Sequence, residues 1–240
     1  MENFKQGEKA IKRKNIYQKT GNYHITNGLP NQDFVWEAEN EIIKAVIIAD
    51  GVSTCKNSLK GAETACKAIA EILLDDAEYI FASDKEKTAG LIVAYIYKKL
   101  LIEANAQNEN VESFSSTLSF VCFNKVTRNV LTFVLGDSLI YGVGKDSFRL
   151  IGSPVFFEGN GTFTTTTQGV ESCVDINIFS EDDFSRFILC TDGAWRTFYK
   201  SGILKEDVSC VMKSENLISV KNYFDAQNCF DDCSCIIMNI

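Results

Sequence analysis

The chain has 240 residues, of which 45% are hydrophobic and 23% are charged, a composition that excludes intrinsic disorder and predicts one domain with a layered core. The net charge of −8 and the pI near 4.8 argue against a nucleic-acid or anionic-membrane surface, because such surfaces need clustered Lys and Arg. No stretch approaches the ~18 apolar residues of a membrane span, and the basic first twenty residues resemble neither a signal peptide nor an anchor, so we expect a cytoplasmic protein.

The first half of the chain predicts a strand followed by two helices. Residues 44–49 are apolar and rich in β-branched side chains and end at Asp50-Gly51, a pattern typical of a buried strand that enters a turn. Residues 62–73 then carry apolar side chains at helical spacing. Ser83 and Glu86 have the spacing of a capping box and predict the start of a second helix that continues to residue 104.

The second half is rich in short strands. Residues 116–123, 130–135, 139–143 and 148–151 are β-rich runs separated by turn residues, and they predict an antiparallel meander. Residues 186–191 and 233–240 are two further predicted strands, and residues 201–214 and 215–224 are predicted helices. Because the strands do not alternate strictly with helices, we expect an α+β fold, a β-sandwich of two mostly antiparallel sheets flanked by α-helices.

The nine cysteines are an odd number and are scattered through apolar segments, which favours buried free thiols over disulfides. Cys229, Cys233 and Cys235 are close in sequence, but their spacing differs from the paired Cys-x-x-Cys of structural zinc sites. The single histidine, His24, is distant in sequence. A zinc site is therefore the weaker alternative.

Three times a hydrophobic strand abuts an aspartate: at Asp50-Gly51, at Asp192-Gly193 and at Asp231-Asp232. Carboxylates at strand ends can gather at one edge of a sandwich, where Mg²⁺ or Mn²⁺ prefers oxygen ligands. Clustered carboxylates repel one another and raise each other's pKa unless a cation balances them. Asp-Gly pairs are also frequent turn chemistry, so spacing alone leaves simple turns as the alternative to a metal site.

The ordered motifs resemble those of a known family. They are Asn31-Gln32-Asp33, Asp50-Gly51, Ser116-Thr117, Gly136-Asp137-Ser138, Thr191-Asp192-Gly193 and Asp231-Asp232-Cys233-Ser234. Each is weak alone, but their order and spacing over residues 20–240 closely resemble the type 2C metal-dependent Ser/Thr protein phosphatases. The chain would be a divergent, bacterial-like member.

The resemblance implies a fold, a domain organisation and a set of ligands. The fold would be an α-β-β-α four-layer sandwich, with residues 1–20 as an N-terminal arm and residues 21–240 as a single phosphatase-like catalytic domain. Asp50 would bridge two divalent cations, Mg²⁺ or Mn²⁺, the Gly51 carbonyl would complete one shell, and Asp192 with Asp231 would hold the other ion. Asp33 would act on water in the site from outside the shell. Asp231 aligns with the family pattern better than Asp232.

Two positions that bind substrate or donate a proton in many family members depart from the pattern. The phosphate-binding arginine is Gly28 here, and the histidine that often follows Asp-Gly is Val52. Lys56 and Lys60 are candidate substitutes for the arginine, although solvated lysines at a helix start are the simpler interpretation. His24 is near the first motif in sequence and is a candidate for a catalytic role, although a structural or exposed role is the simpler interpretation.

Three further departures concern the metals and the edge of the site. Gln32 stands where the family has Glu, which removes a charge. Arg196 stands where members with a third metal site carry an acid, so Asp137 lacks its partner and we expect two ions rather than three. The threonines at 164–167 lie where the family often has a mobile flap, although an edge strand is the simpler interpretation.

These features lead to two main functional hypotheses. The first is hydrolysis of phosphoserine or phosphothreonine in proteins by a two-metal-activated water, in a monomer that opposes a Ser/Thr kinase. The alternative is a catalytically weak or inactive pseudophosphatase that acts as a protein-binding regulatory module, which Gly28 and Val52 favour. A simple acidic metal-binding or scaffold domain would explain the aspartates but not their order.

Overall fold

The computed structural model describes residues 15–155, 161–214 and 217–240. Its strands and helices, in chain order, are β1 (Ile16–Lys19), α1 (Asn22–Asn27), β2 (Asp33–Glu39), β3 (Ile43–Asp50), α2 (Ser58–Ala82), α3 (Lys85–Gln107), β4 (Leu118–Asn124), β5 (Asn129–Leu135), β6 (Leu139–Val143), β7 (Phe148–Gly152), β8 (Asp175–Ser180), β9 (Arg186–Cys190), α4 (Asp192–Trp195), β10 (Tyr199–Lys200), β11 (Ile203–Leu204), α5 (Glu206–Lys213), α6 (Leu217–Asp225) and β12 (Cys233–Asn239). Short 3₁₀ helices cover Val111–Phe114, Val170–Cys173 and Arg196–Phe198.

The strands form two five-stranded sheets and one small hairpin. The first sheet has the order β2-β3-β4-β5-β8, the second has the order β1-β12-β9-β6-β7, and β10 pairs with β11. Every pairing is antiparallel. The interior strands β3, β4, β6, β9 and β12 are buried on both faces, which is why their sequences are apolar runs rather than alternating patterns.

Three apolar cores separate four layers. The first lies between the first sheet and the pair α2 and α3, where Ile69 and Phe120 are fully buried. The second lies between the two sheets and includes Ile48 and Phe187. The third lies between the second sheet and the pair α5 and α6, and it includes Phe224. This is the α-β-β-α sandwich expected from the sequence, and the fold class is confirmed.

The predicted helix starts at Ser83 and at residue 201 are wrong, each for a local reason. The carboxylate of Asp84 accepts the Lys87 N–H at 2.8 Å and caps α3, whereas the Ser83 hydroxyl donates to the Tyr79 carbonyl at the end of α2. Ser201 and Gly202 both have positive φ and form the two-residue turn of the β10–β11 hairpin, so α5 begins only at Glu206. Residues 215 and 216, at the start of the next predicted helix, lie outside the described residues.

Two segments have an organisation that the sequence pattern did not indicate. Ile16–Lys19, assigned to the N-terminal arm, forms β1 and pairs with β12, while residues 1–14 of that arm lie outside the described residues. The threonines at 164–167 form a turn instead of an edge strand, because the Thr167 N–H donates to the Thr164 carbonyl at 3.0 Å. This turn packs beside the residues that precede β4, where the Thr165 N–H donates to the Ser116 carbonyl.

The nine cysteines are free thiols, as the sequence predicted. Six are buried, whereas Cys55 and Cys173 are half-buried and Cys210 is exposed. Within the described ranges, no helix combines the length and the apolar character needed to cross a membrane.

Candidate active site

Aspartates from both sheets converge at one end of the sandwich. Asp33 begins β2 and Asp50 ends β3, and the two residues are directly paired across the strands. Asp192 follows β9, and Asp231 lies just before β12, the neighbour of β9 in the second sheet. The Thr191 hydroxyl joins the two sheets because it donates to Asp33 Oδ2 at 2.9 Å. The strand ends predicted from sequence to carry the acids therefore meet.

The Asp50-Gly51 turn is held by two hydrogen bonds between Asp50 and Thr117. The Asp50 N–H donates to Thr117 Oγ1 at 3.0 Å, and the Thr117 N–H donates back to the Asp50 carbonyl at 2.8 Å. A Cβ at residue 51 would lie 2.8 Å from the Ser58 carbonyl carbon. Glycine is required there because the main chain of Ser58, the first residue of α2, packs against residue 51.

The two adjacent acids before β12 have different surroundings. Asp232 is buried, and its carboxylate accepts the N–H groups of Gly21 and Gln32 at 2.8 and 2.6 Å while its Oδ2 lies 2.6 Å from His24 Nδ1. Asp231 is only partly buried and contributes to the negative potential at Asp50. Asp232 is therefore held by buried partners, whereas the Asp231 side chain is more open to solvent.

Burial raises the pKa of three of the carboxyl groups, and the neighbouring negative charges add to the rise. Burial raises the pKa of Asp33 to about 8, against the opposing hydrogen bonds from Ser234 and Thr191. Burial, with the charges of the neighbouring aspartates, also raises the pKa of Asp50 well above its ordinary value. Burial and the Asp137 charge raise the pKa of Asp192 to about 6. Such a cluster is unfavourable without a balancing cation.

The residues present fit a divalent cation. Asp33 Oδ1 and Asp192 Oδ1 are buried oxygens without a hydrogen-bond partner, and carboxylate oxygen is the donor that Mg²⁺ and Mn²⁺ prefer. Among the described residues, no three Asp, Glu, His or Cys side chains form a ready-made ion-binding group. Mg²⁺ typically keeps several waters and takes one or two carboxylates, so these acids need not close around an ion by themselves.

The positions that depart from the expected pattern have alternative partners. Gly28 ends α1 in a left-handed conformation with φ +66°, and Val52 donates its N–H to the Ser115 carbonyl. Lys56 pairs with Glu109, and Lys60 lies 3.2 Å from Glu63 and 3.9 Å from Glu103. Neither ion pair involves one of the clustered aspartates, and a phosphate-binding role for either lysine stays a prediction from the sequence.

Asp137 and Arg196 both lie close to Asp192. The Thr162 hydroxyl donates to Asp137 Oδ2 at 3.2 Å, and the Trp195 indole N–H donates to the Asp137 carbonyl at 2.7 Å. Arg196 Nη2 pairs with Asp192 Oδ2 at 2.8 Å. The ion pair between Asp192 and Arg196 was not predicted from the sequence, where Arg196 was noted only as a departure from the family pattern. A cation one helical turn after an acid is nevertheless a recognisable signal for pairing.

A family model described as protein phosphatase 2C matches residues 20–216. The chain belongs to this family. The sequence has no significant match among curated proteins. The family assignment supports protein phosphatase activity, and the motif set identified in the sequence is consistent with it.

Solved structures of protein phosphatase 2C type share the fold. A bacterial serine phosphatase is 14% identical with a TM-score of 0.65, over 94% of this chain and 96% of that chain. Serine/threonine phosphatase Stp1 from Staphylococcus aureus is 13% identical with a TM-score of 0.64, over 94% and 93%. RsbX in complex with magnesium is 13% identical with a TM-score of 0.55, over 92% of each chain. At these identities the likeness concerns the fold.

Proposed function

We propose that this protein hydrolyses phosphoserine and phosphothreonine in proteins with two divalent cations, Mg²⁺ or Mn²⁺. The observation that carries the proposal is the convergence of Asp33, Asp50, Asp192 and Asp231 at one end of the sandwich. Burial raises the pKa of Asp33, Asp50 and Asp192, and Asp33 and Asp192 each have a buried carboxylate oxygen without a hydrogen-bond partner. The names of two structural relatives add support, since one is a serine/threonine phosphatase and another was crystallised with magnesium.

Each acidic residue has a distinct role in this proposal. Asp50, the Gly51 carbonyl, Asp192 and Asp231 would hold the ions. When bound, the cations lower the pKa of water and neutralise the phosphoryl oxygens. The Thr191 hydroxyl fixes Asp33 Oδ2, which leaves Asp33 Oδ1 to accept a proton or a hydrogen bond from water.

The test compares hydrolysis of a phosphorylated peptide and of a small aryl phosphate with Mn²⁺ in the parent, Asp50→Asn and Asp192→Asn. We expect either change to lower kcat/KM by more than about 100-fold. Loss of a residue that only orients a metal ligand typically costs about 10–100-fold, and loss of the ligand itself should cost more. Asp182→Asn is the matched control, since Asp182 is exposed in the turn before β9, at the opposite end of that strand from Asp192. Activity that is absent, or equal in all variants, contradicts an enzymatic role.

A catalytically weak or inactive pseudophosphatase is the second candidate. It is favoured by the absence of a side chain at Gly28 and by the apolar Val52. Calorimetric binding of Mn²⁺ without hydrolysis of either substrate would support this protein-binding role over catalysis. Opposition to a Ser/Thr kinase, a monomeric state and a cytoplasmic location remain predictions, of which size-exclusion chromatography tests the second.

A further inference from the structure

Arg196 is a cation held at the edge of the acidic site. Its guanidinium carbon lies 5.7 Å from the centroid of the Trp195 ring. Trp195 is fixed by its hydrogen bond to the Asp137 carbonyl and by an edge contact with Tyr199, whose ring centroid is 6.2 Å away. The ion pair with Asp192 adds a second restraint. The guanidinium is therefore positioned beside the carboxylates.

The arginine keeps hydrogen-bonding capacity for another anion. A guanidinium has five N–H donors in a planar fork, and the side chain of Arg196 is 62% exposed. Asp192 uses Oδ2 for the arginine, while its Oδ1 is a buried oxygen without a hydrogen-bond partner. The same carboxylate can thus contact an ion through one oxygen and orient the arginine through the other.

Other cations considered from the sequence do not pair with the clustered aspartates. Lys56 pairs with Glu109, and Lys60 pairs with Glu63 and Glu103. His24 is 1% exposed and lies against Asp232, and Gly28 has no side chain. Arg196, by contrast, acts electrostatically on both Asp137 and Asp192, since its charge opposes the rise in the pKa of each carboxyl that burial causes.

We propose that Arg196 binds the phosphate group of the substrate, a role for which residue 28 has no side chain. A phosphate monoester that approaches several carboxylates is repelled unless cations surround it, and a guanidinium can bind two phosphate oxygens through charge-assisted hydrogen bonds. This inference rests on the proposed phosphatase function and adds a side chain of the protein that would bind the substrate.

The test is calorimetric titration of inorganic phosphate into the Mg²⁺-loaded protein, with phosphate inhibition of aryl phosphate hydrolysis as a second readout. We expect Arg196→Gln to weaken phosphate binding by about tenfold or more, and Arg196→Lys to weaken it less, because a lysine keeps the charge without the fork. Lys56→Gln is the matched loss of one positive charge and should leave phosphate binding unchanged. Mg²⁺ titration and the melting temperature should be retained in all three variants.

Two outcomes would overturn the inference. One is equal phosphate affinity in the parent and Arg196→Gln. The other is loss of Mg²⁺ binding together with phosphate binding in Arg196→Gln, because Arg196 would then act only by orienting Asp192. A parent protein that binds phosphate through Arg196 but hydrolyses neither substrate would contradict the proposed phosphatase function alone, so the two failures are distinguishable.

Discussion

The adjacent residues Asp231 and Asp232 should respond in opposite ways to the loss of one negative charge. Asp232→Asn replaces a buried carboxylate that accepts two main-chain N–H groups and contacts His24. Hydrogen bonds to a charged group contribute about 1.5–3 kcal/mol each. We therefore expect Asp232→Asn to lower the free energy of unfolding by about 3 kcal/mol or more.

Asp231→Asn should instead leave the free energy of unfolding nearly unchanged and weaken Mg²⁺ binding. The Asp231 side chain is only partly buried, so its change should alter the free energy of unfolding by no more than about 0.5 kcal/mol. Removal of a proposed ligand should weaken Mg²⁺ binding by more than about tenfold. Urea unfolding without divalent cations measures the first quantity, and isothermal titration with Mg²⁺ measures the second. A destabilised Asp231→Asn, or an Asp232→Asn of normal stability that has lost Mg²⁺ binding, would refute the division of roles.

Two other predictions concern pH and packing. Burial raises the folded-state pKa of Asp33 from 3.8 to about 8 and that of Asp192 from 3.8 to about 6. Between about pH 4 and these raised pKa values, the folded state therefore binds more protons than the unfolded state. The contribution of these two groups to the stability of the metal-free protein should therefore fall as pH rises from about 4 to about 8. Saturating Mg²⁺ should remove this pH dependence. Urea midpoints of the metal-free protein that rise over this pH range would contradict the prediction. Gly193→Ala would place a Cβ 2.1 Å from the Asp232 carbonyl oxygen, so we expect destabilisation by about 1–3 kcal/mol, and an unchanged urea midpoint would show that the backbone there can shift.

Local sequence patterns predicted many of the helices and strands. The apolar periodicity of residues 62–73 identifies the buried face of α2, and the β-rich runs after residue 115 correspond to β4, β5, β6 and β7. Predictions failed where one side chain or one turn decides a boundary. Asp84 rather than Ser83 caps α3, and the positive φ values of Ser201 and Gly202 create a hairpin in a predicted helix. The strands β1, β2 and β8 were missed because their apolar patterns are short or irregular.

The sequence by itself determined which acidic residues are candidates for the site and the family to which their order points. Only the tertiary structure decided which partners each of these residues contacts. It separates Asp231 from Asp232, which are neighbours in sequence but face different partners, and it places Arg196 beside Asp192. The reason is physical, since the contact between Thr191 and Asp33 joins residues 158 positions apart across two antiparallel sheets. Spacing along the chain does not encode that packing, and burial and electrostatic coupling arise only when the sheets meet.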